Sequence, residues 1–483
     1  MTDGSQGLYL AVDLGGTNFR VCSIKLHGNT TFSIESTKVA IPREMMVGPT
    51  SSGELFAFLA KQVDVFLRRH HKEMFEDVVR RNSVQPEEGI VPATGKPVAP
   101  TPRSVFDLGF TFSFPTEQVA INKGHLMRWT KGFDIKDAIG RDVCGFLQEA
   151  IDHLGLPVKV AALVNDTVGT LMARAYTSPG KTPTLIGAIF GTGTNGAYVE
   201  KLANIPKMQS GKFGDYDKST GEMVVNTEWG GFDNALRVLP NTPYDAALDS
   251  CSVNPGMQMF EKRVSGMFLG EIIRHALLAL VKTAGLFADS DSRDNDTGTT
   301  TNIQDSSAIY IPWSIDTSFL SFVEEDRPPQ LLVTKQLLER ELGVDGPSTD
   351  DARAVRTLVH AVGKRSARLS ALAIGACIIN SGRLVEDPTA EVDVGVDGSV
   401  VEYYPGFDGH LRQALREMEA IGEAGEKRIR IGIAKDGSGV GAALIALVAA
   451  RQDRVGVGRG ASVGVTSFAP VVYKSAGPLA GER

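Results

Sequence analysis

The sequence predicts an α/β protein of two domains, and three observations carry that expectation. Short apolar runs of strand length alternate with longer stretches of helical periodicity through most of the chain. A strand followed by a glycine turn occurs twice, at Asp13-Leu14-Gly15-Gly16-Thr17-Asn18 and at Gly191-Thr192-Gly193-Thr194-Asn195-Gly196. The 483 residues also exceed what one hydrophobic core organises, since domains run to roughly 100–200 residues with allowance for larger α/β units.

The elements follow in order. Tyr9–Val12 is apolar, Gly15-Gly16 punctuates it, and Arg20–Leu26 alternates as a β-strand does. Ser52–Arg80 sets Leu55, Phe58, Leu59, Val63, Phe66 and Leu67 at helical spacing. The proline-rich, polar stretch Asn82–Arg103 reads as an exposed loop. A β-region at Val105–Phe114 and a helix at about Ile135–His153 come next. Val158–Asn165 is a buried strand that runs directly into a helix at Asp166–Tyr176, and Thr184–Phe190 is another that ends in the second glycine turn. Phe268–Phe287 is apolar almost all round, which places it in an interior. Asp289–Asn302 is acidic and rich in Ser and Thr, as a solvated loop is. Arg353–Asn380 is a second long helix. Arg428–Ala434 is a strand ending in Asp436-Gly437-Ser438-Gly439, with a helix at Ala442–Ala450. From Arg451 the tail has no helical period and is expected to fray. The two halves share the strand–glycine-turn plan without any residue-level repeat.

Composition excludes several classes. A net charge of −7 and a pI of about 5.7 leave no basic field for nucleic acid. Cys22, Cys144, Cys251 and Cys377 are scattered, with no pair at metal-ligand spacing, as in a reducing compartment. Met1–Gly7 lacks the basic and apolar regions of a secretory leader, and Ala442–Ala450 is far short of the roughly 20 residues of a membrane span. A cytoplasmic protein without nucleic-acid or membrane partners is the expectation.

Both glycine turns suit an anion, because glycine lets backbone N–H groups approach phosphate oxygens without an intervening side chain. Asp13, at the end of its strand, is placed to hold Mg²⁺ through water, and Thr192 adds a hydroxyl to the second turn. Each turn is equally a hairpin connection when taken alone. The P-loop pattern Gly-x4-Gly-Lys-Ser/Thr is absent, and so is a Gly-x-Gly-x-x-Gly turn after the first strand. Asp166, in Val164-Asn165-Asp166-Thr167, stands where a scaffold-oriented carboxylate takes a proton from a hydroxyl; the same place suits a helix N-cap. Phe110–Pro115 and Leu126–Phe133 mix aromatic rings, hydroxyls and basic groups, as a sugar site does and as a surface hairpin also does. Glu228 and Glu261 are carboxylates near glycines and aromatics, a setting shared with ordinary surface acids.

Taken together and in this order, the segments resemble the hexokinase family from about Leu8 to Leu447, and most of all its fungal glucokinases. Leu10–Val21 is similar to its first phosphate loop, Leu108–Pro115 with Trp129–Phe133 to its sugar-binding region, and Val164–Thr167 to the segment of its catalytic aspartate. Gly191–Gly196 is similar to its second phosphate loop, and Val396–Val400, Tyr404–Phe407 and Asp436–Ala443 to its adenosine region. The resemblance implies the two-lobed actin-like ATPase and sugar-kinase fold (ribonuclease H-like), with sugar and ATP in a cleft between lobes. Its regions are 1–181 and 182–450, followed by a flexible tail at 451–483. It implies ATP-dependent phosphorylation of glucose at the 6-hydroxyl, with Mg²⁺ carried on ATP and no direct protein ligand beyond water on Asp13. Asp166 matches the general base and Lys131 the cation beside sugar and phosphoryl group. Ser113, Thr130, Lys131, Asn165, Asp166, Asn195, Glu228 and Glu261 match the sugar contacts. Asp13, Gly15, Gly16, Thr17, Asn18, Arg20, Gly191, Thr192, Gly193, Gly437 and Ser438 match the ATP side. The partner implied is glucose or another hexose, and the protein a monomer or homodimer. Where the family often carries two glutamines, this chain has Met257 before Gln258.

This equipment fits the chemistry, since phosphoryl transfer is mostly positioning and charge neutralisation. Competing readings differ at named residues. A sugar sensor without turnover would be expected to lack Asp166, Lys131 or a loop glycine, and all are present. An ATPase chaperone or filament protein of the same broad fold would share the glycine turns but not Phe112–Pro115 or Trp129–Phe133. A kinase for mannose or fructose would use the same contacts.

Overall fold

The computed structural model describes residues 6–16, 18–48, 50–83, 105–131, 133–178, 182–209, 218–288, 301–327, 329–434 and 436–456. They fall into two compact units. One comprises Met1–Pro179, Val199–Asn226 and Asp436–Arg483, and the other Gly180–Tyr198 and Thr227–Lys435. This differs from a single cut near residue 181, and the last helix shows why.

In the first unit, β1 (Gln6–Leu14), β2 (Asn18–His27), β3 (Phe32–Ala40), β4 (Phe106–Phe112) and β7 (Val158–Val164) form a sheet of order β3-β2-β1-β4-β7, beside a small hairpin of β5 (Thr116–Ala120) and β6 (Lys123–Leu126). The β1–β2 and β2–β3 pairs are antiparallel, and β1–β4 and β4–β7 are parallel. Strand alternation sorts β1 between two cores. Leu10, Val12 and Leu14 join Phe56, Leu59, Phe146 and Leu147 of helices Ser52–His70 and Val143–His153. Tyr9 and Ala11 join Leu171, Met172 and Leu444 of helices Asp166–Thr177 and Gly437–Gly456. Asp13 continues this second series.

The last helix packs by backbone. A Cβ on Gly441 would lie 2.0 Å from the Gly169 carbonyl oxygen, and one on Gly109 would lie 2.2 Å from that of Ala442. Only glycine admits such approach. This packing joins the C-terminal helix to β4 and to helix Asp166–Thr177, far from it in sequence.

The second unit contains β8 (Thr184–Phe190), the Thr194–Tyr198 part of β9 (Thr194–Lys201), β11 (Val392–Asp397) and β12 (Ile429–Ile433), while β10 (Glu222–Asn226) falls within the first. The order β9-β8-β11-β12, antiparallel then twice parallel, repeats β2-β1-β4-β7. The duplication expected from the glycine turns is therefore one of topology. Helix Gly266–Ala284 and the long helix Thr349–Ser381 belong to this unit. The latter opens on a Ser348/Asp351 capping box and ends at Gly382 with φ 70°.

Several expected boundaries shift. Ser52–Arg80 is two helices, Ser52–His70 and Lys72–Ser83. The helix expected from Ile135 begins at Val143, because Gly140 takes a positive φ of 77° and Asp142 caps the new start by accepting from the Cys144 N–H. The last helix runs over Gly437–Gly456, so the expected tail is helical in its first residues; 457–483 lie outside the described residues. The loop expected at Asn82–Arg103, from residue 84 on, and that at Asp289–Asn302, up to residue 300, lie outside them too. Among the described residues, no helix is long and apolar enough to cross a membrane.

Candidate functional site

In the first unit, the parallel strands β1, β4 and β7 end together at Leu14, Phe112 and Val164. Carboxyl ends of parallel strands are where open α/β sheets bind ligands, and here they carry Asp13, Ser113, Asn165 and Asp166. A cavity of about 980 Å³, bordered by Val105, Asn122, Cys144, Gln148 and Val158, opens at the opposite end of β4 and β7. It is set apart from this constellation.

Asp13 projects onto the face that receives the last helix, and the Ser438 hydroxyl donates to its Oδ2 at 2.9 Å. Thr111 of β4 donates to the Ser438 carbonyl at 3.2 Å, and Arg20 of β2 donates to Asp436 at 2.7 Å. Burial, and then the negative charge of Asp166, raise the Asp13 carboxyl above the ordinary carboxylate value, against the Ser438 hydrogen bond, Arg20 and Lys131. Two carboxylates thus share one electrostatic neighbourhood with two cations. Gly15 faces Ser113, its Cβ position 3.1 Å from the hydroxyl, whereas a Cβ on Gly16 would meet nothing within 4 Å.

Asn165 caps helix Asp166–Thr177 by accepting from the Thr167 N–H at 2.9 Å and hydroxyl at 2.6 Å. The cap is therefore Asn165, while Asp166 is the first helical residue and its Oδ1 also accepts from the Thr167 N–H at 2.9 Å. Lys131 is exposed, has a positive φ of 55°, and donates to the Ser113 carbonyl at 3.0 Å. Its ammonium lies 5.6 Å from the Phe114 ring centre, within cation–π range. Phe112, Phe114, Trp129 and Phe133 pack edge to face and stacked behind it, and Trp129 donates to the Ile135 carbonyl at 2.7 Å. These aromatics fix the chain on which Thr130 and Lys131 stand.

In the second unit, the Gly191–Gly193 turn closes on itself through the Gly191 N–H and the Gly193 carbonyl at 3.0 Å. The first two N–H groups of helix Gly266–Ala284 donate outward to Gly191 (2.8 Å) and Thr192 (3.2 Å) carbonyls. The Thr317 hydroxyl donates to the Gly266 carbonyl. Gly398, at φ 115°, backs the turn so closely that a Cβ there would sit 2.5 Å from Phe190 backbone.

The same unit gathers Asn195, Glu228 and Glu261. Asn195 donates to Glu228 at 3.1 Å, the Thr194 N–H donates to Glu261 Oε2 at 2.9 Å, and Gln258 lies 3.5 Å from Glu261 Oε1. Glu228 and Gln258 have positive φ of 51° and 54°. Met257, where the family often has glutamine, is exposed.

The structure thus brings Asp13, Gly15, Ser113, Lys131, Asn165, Asp166, Arg20 and Ser438 together in one unit, and Gly191–Gly193, Asn195, Glu228 and Glu261 in the other. Of the two residues expected on the adenosine side, Ser438 meets Asp13 through its hydroxyl, and Gly437 packs against Thr170. Gly16 and Asn18 flank Thr17, which is outside the described residues. Sequence reasoning had not singled out Thr111, Gly266 or Thr317, nor Gly398 individually; the Asp397-Gly398 pair after an apolar strand was the available signal for the last. Among the described residues, no cluster of His, Cys, Asp and Glu could hold a metal by itself.

Comparison with known proteins establishes the family. Two models of the hexokinase family match, over residues 1–176 and 185–448. The glucokinase of Aspergillus niger is 57% identical over 449 residues, spanning 93% of this chain and 87% of its own. Glucokinase-1 of Saccharomyces cerevisiae is 41% identical, over 92% and 85% of the two chains. The solved hexokinase of Schistosoma mansoni complexed with glucose superimposes with a TM-score of 0.69 at 34% identity, over 92% of this chain and 85% of its own. This chain is a member of the hexokinase family, with the two-lobed sugar-kinase fold.

Proposed function

We propose that this protein transfers the terminal phosphate of ATP to the 6-hydroxyl of glucose, giving glucose 6-phosphate and ADP. The observation that carries the reading is the grouping of Asp166, Asp13 and Lys131 at the carboxyl edge of one sheet, in a chain 57% identical to a glucokinase. Asp166 takes the 6-hydroxyl proton as the sugar oxygen bonds to the γ-phosphorus and the bond to the ADP oxygen breaks, a role worth about 10²–10⁴ in rate. Lys131 neutralises charge on the transferring group. Ser113, Thr130, Asn165, Asn195, Glu228 and Glu261 hold sugar hydroxyls, and acceptors desolvated by the bound sugar reject an analogue that leaves one unpaired.

ATP use comes with the family, and the open approach over Gly16 suits a phosphate against main-chain donors. Asp13 fits a magnesium ion carried by the nucleotide: it is a hard oxygen donor whose charge is disfavoured by burial and Asp166, and a cation relieves both. That ion would neutralise phosphate charge. Four free cysteines, three of them buried, support a cytoplasmic setting, and the protein is read as a monomer or homodimer.

The test is ATP- and Mg²⁺-dependent phosphate transfer to glucose, fructose and mannose by the wild type and Asp166→Ala. Turnover on glucose is expected to fall at least about a hundredfold in the variant. Comparable rates on fructose would make the protein a general hexokinase. Glucose binding without turnover by folded wild type would replace the enzyme reading with a sensor.

A further inference from the structure

Glu261 is followed by two cations that are both buried, Lys262 and Arg263, each about 1% exposed. A charge so far from water is tolerated only when its donors are matched. Lys262 donates to Asp249 at 2.6 Å and to the Asn254 carbonyl at 2.8 Å. Arg263 spreads its fork over three neutral acceptors: the Pro240 carbonyl at 2.6 Å, the Met259 carbonyl at 2.6 Å and the Asn241 side-chain oxygen at 2.9 Å.

Those acceptors belong to two segments. Pro240 and Asn241 end the stretch that begins at Glu228, and Met259 sits in the turn that carries Gln258 and Glu261. The Met259 N–H donates back to Asn234 of the first stretch at 3.1 Å, so its two flanking peptides are gripped by Asn234 and Arg263. The first stretch is itself stiffened by Asp233, which accepts from the N–H groups of Arg237, Val238 and Leu239. Little slack remains between the two, since a Cβ on Gly230 would lie 2.8 Å from Gln258 Nε2 and 3.4 Å from the Glu261 Cβ. The left-handed backbone of Glu228 and Gln258 persists only where the surroundings over-determine it.

We propose that Arg263 is a positioning residue that sets the separation of Glu228 and Glu261, with Lys262 fixing the Asn254 end of the same turn. It acts from beneath, through Met259, and does not reach the sugar. The inference rests on the reading that both glutamates face the sugar, and it adds the part that holds them in register. Arginine suits the task because its planar fork meets the three acceptors from three separate nitrogens, whereas a lysine ammonium gathers its donors on one.

The experiment is a double-mutant cycle in the full chain: wild type, Arg263→Lys, Glu261→Gln and the double variant, with KM for glucose, KM for ATP, kcat and Tm measured on each. Arg263→Lys is expected to raise glucose KM about 10- to 100-fold while ATP KM stays within about twofold. In the Glu261→Gln background the same change should move glucose KM by less than about threefold, because the spacing no longer matters. Asn241→Ala, which removes one acceptor, should shift glucose KM in the same direction by less, and it serves if Arg263→Lys fails to fold. An unchanged glucose KM in Arg263→Lys, or an equal rise with and without Glu261, would overturn the proposal. An unchanged glucose KM in Glu261→Gln alone would instead remove the sugar-facing reading of Glu261, and the role of Arg263 with it.

Discussion

Between β1 and β2 the chain turns from Leu14 to Asn18, and between β8 and β9 from Phe190 to Thr194. Both turns join antiparallel partners, and in both the first strand pairs in parallel on its other side, with β4 or with β11. The means of fastening differ. Asp13 is held by the hydroxyl of Ser438, 425 positions away, and the helix bearing Ser438 rests on bare backbone at Gly169 and Gly109. The second turn is held by main-chain donors of helix Gly266–Ala284, and its carboxylate, Glu261, accepts the N–H of Thr194 within the hairpin itself. One turn therefore depends on long-range packing and a removable side chain. The other is fastened chiefly by main-chain donors, which no substitution deletes, with the Glu261 carboxylate beside them.

The strongest way to break that contrast is Gly441→Ala. Its Cβ would fall 2.0 Å from a carbonyl oxygen, and both sides of the contact are main chain, so the helix must move. Overpacking of this kind costs about 3 kcal/mol or more, a Tm loss on the order of 10 °C in a unit of this size. Gly191→Ala, whose Cβ would sit 3.3 Å from Gly398, should lose no more than about a third of that. Equal losses in thermal unfolding would show that both turns are fastened alike.

A smaller effect separates the carboxylates. Ser438→Ala removes a hydrogen bond to a charged group, so kcat/KM for ATP should fall about tenfold with glucose KM little changed, and Ser438→Thr should restore it. Thr194→Ala leaves the N–H on Glu261 in place and orphans only the Trp229 indole, which donates to the Thr194 hydroxyl at 2.9 Å. It should cost about 1–3 kcal/mol of stability and under about threefold in glucose KM. A large rise in glucose KM would locate the hold on Glu261 in the Thr194 side chain.

The contrast also marks what the sequence could display. Strand-then-glycine patterns and Asp166 at a strand–helix junction are local, and local chemistry is legible. The Ser438–Asp13 pair is not, because nothing within a window of residues announces a partner at the far end of the chain. The last helix was under-read for a related reason: Gly437, Gly439 and Gly441 argue against helix by propensity, yet the backbone packing they permit outweighs that penalty. Arg263 gives no signal in the sequence, because two of its three acceptors, Pro240 and Asn241, come from a separate segment. The stretch Ile135–Asp142 has apolar spacing, but Gly140 and the Asp142 cap reset the helix start.

The finest distinction between the units is the sign of a pH response. Burial and Asp166 raise the Asp13 carboxyl above its unfolded value, so the folded state binds this proton more tightly. Stability linked to it is present below the unfolded value and lost as pH rises through the folded one. Asp245, in the second unit, is the opposite case. Burial works to raise it, but bidentate pairing with Arg365 at 2.8 Å and hydrogen bonds from Thr242 hold it below the ordinary range, so its contribution is lost as pH falls. In metal-free protein, Asp13→Asn removes a charge that is disfavoured only when ionised. Its Tm should match wild type near about pH 4 and exceed it by on the order of 2 °C by about pH 8, even as activity is lost. A difference that stayed constant across this range would mean that Asp13 titrates in the folded protein as it does in the unfolded chain. The contrast between the two turns would then reduce to geometry, with Ser438 orienting a carboxylate whose charge the fold does not oppose.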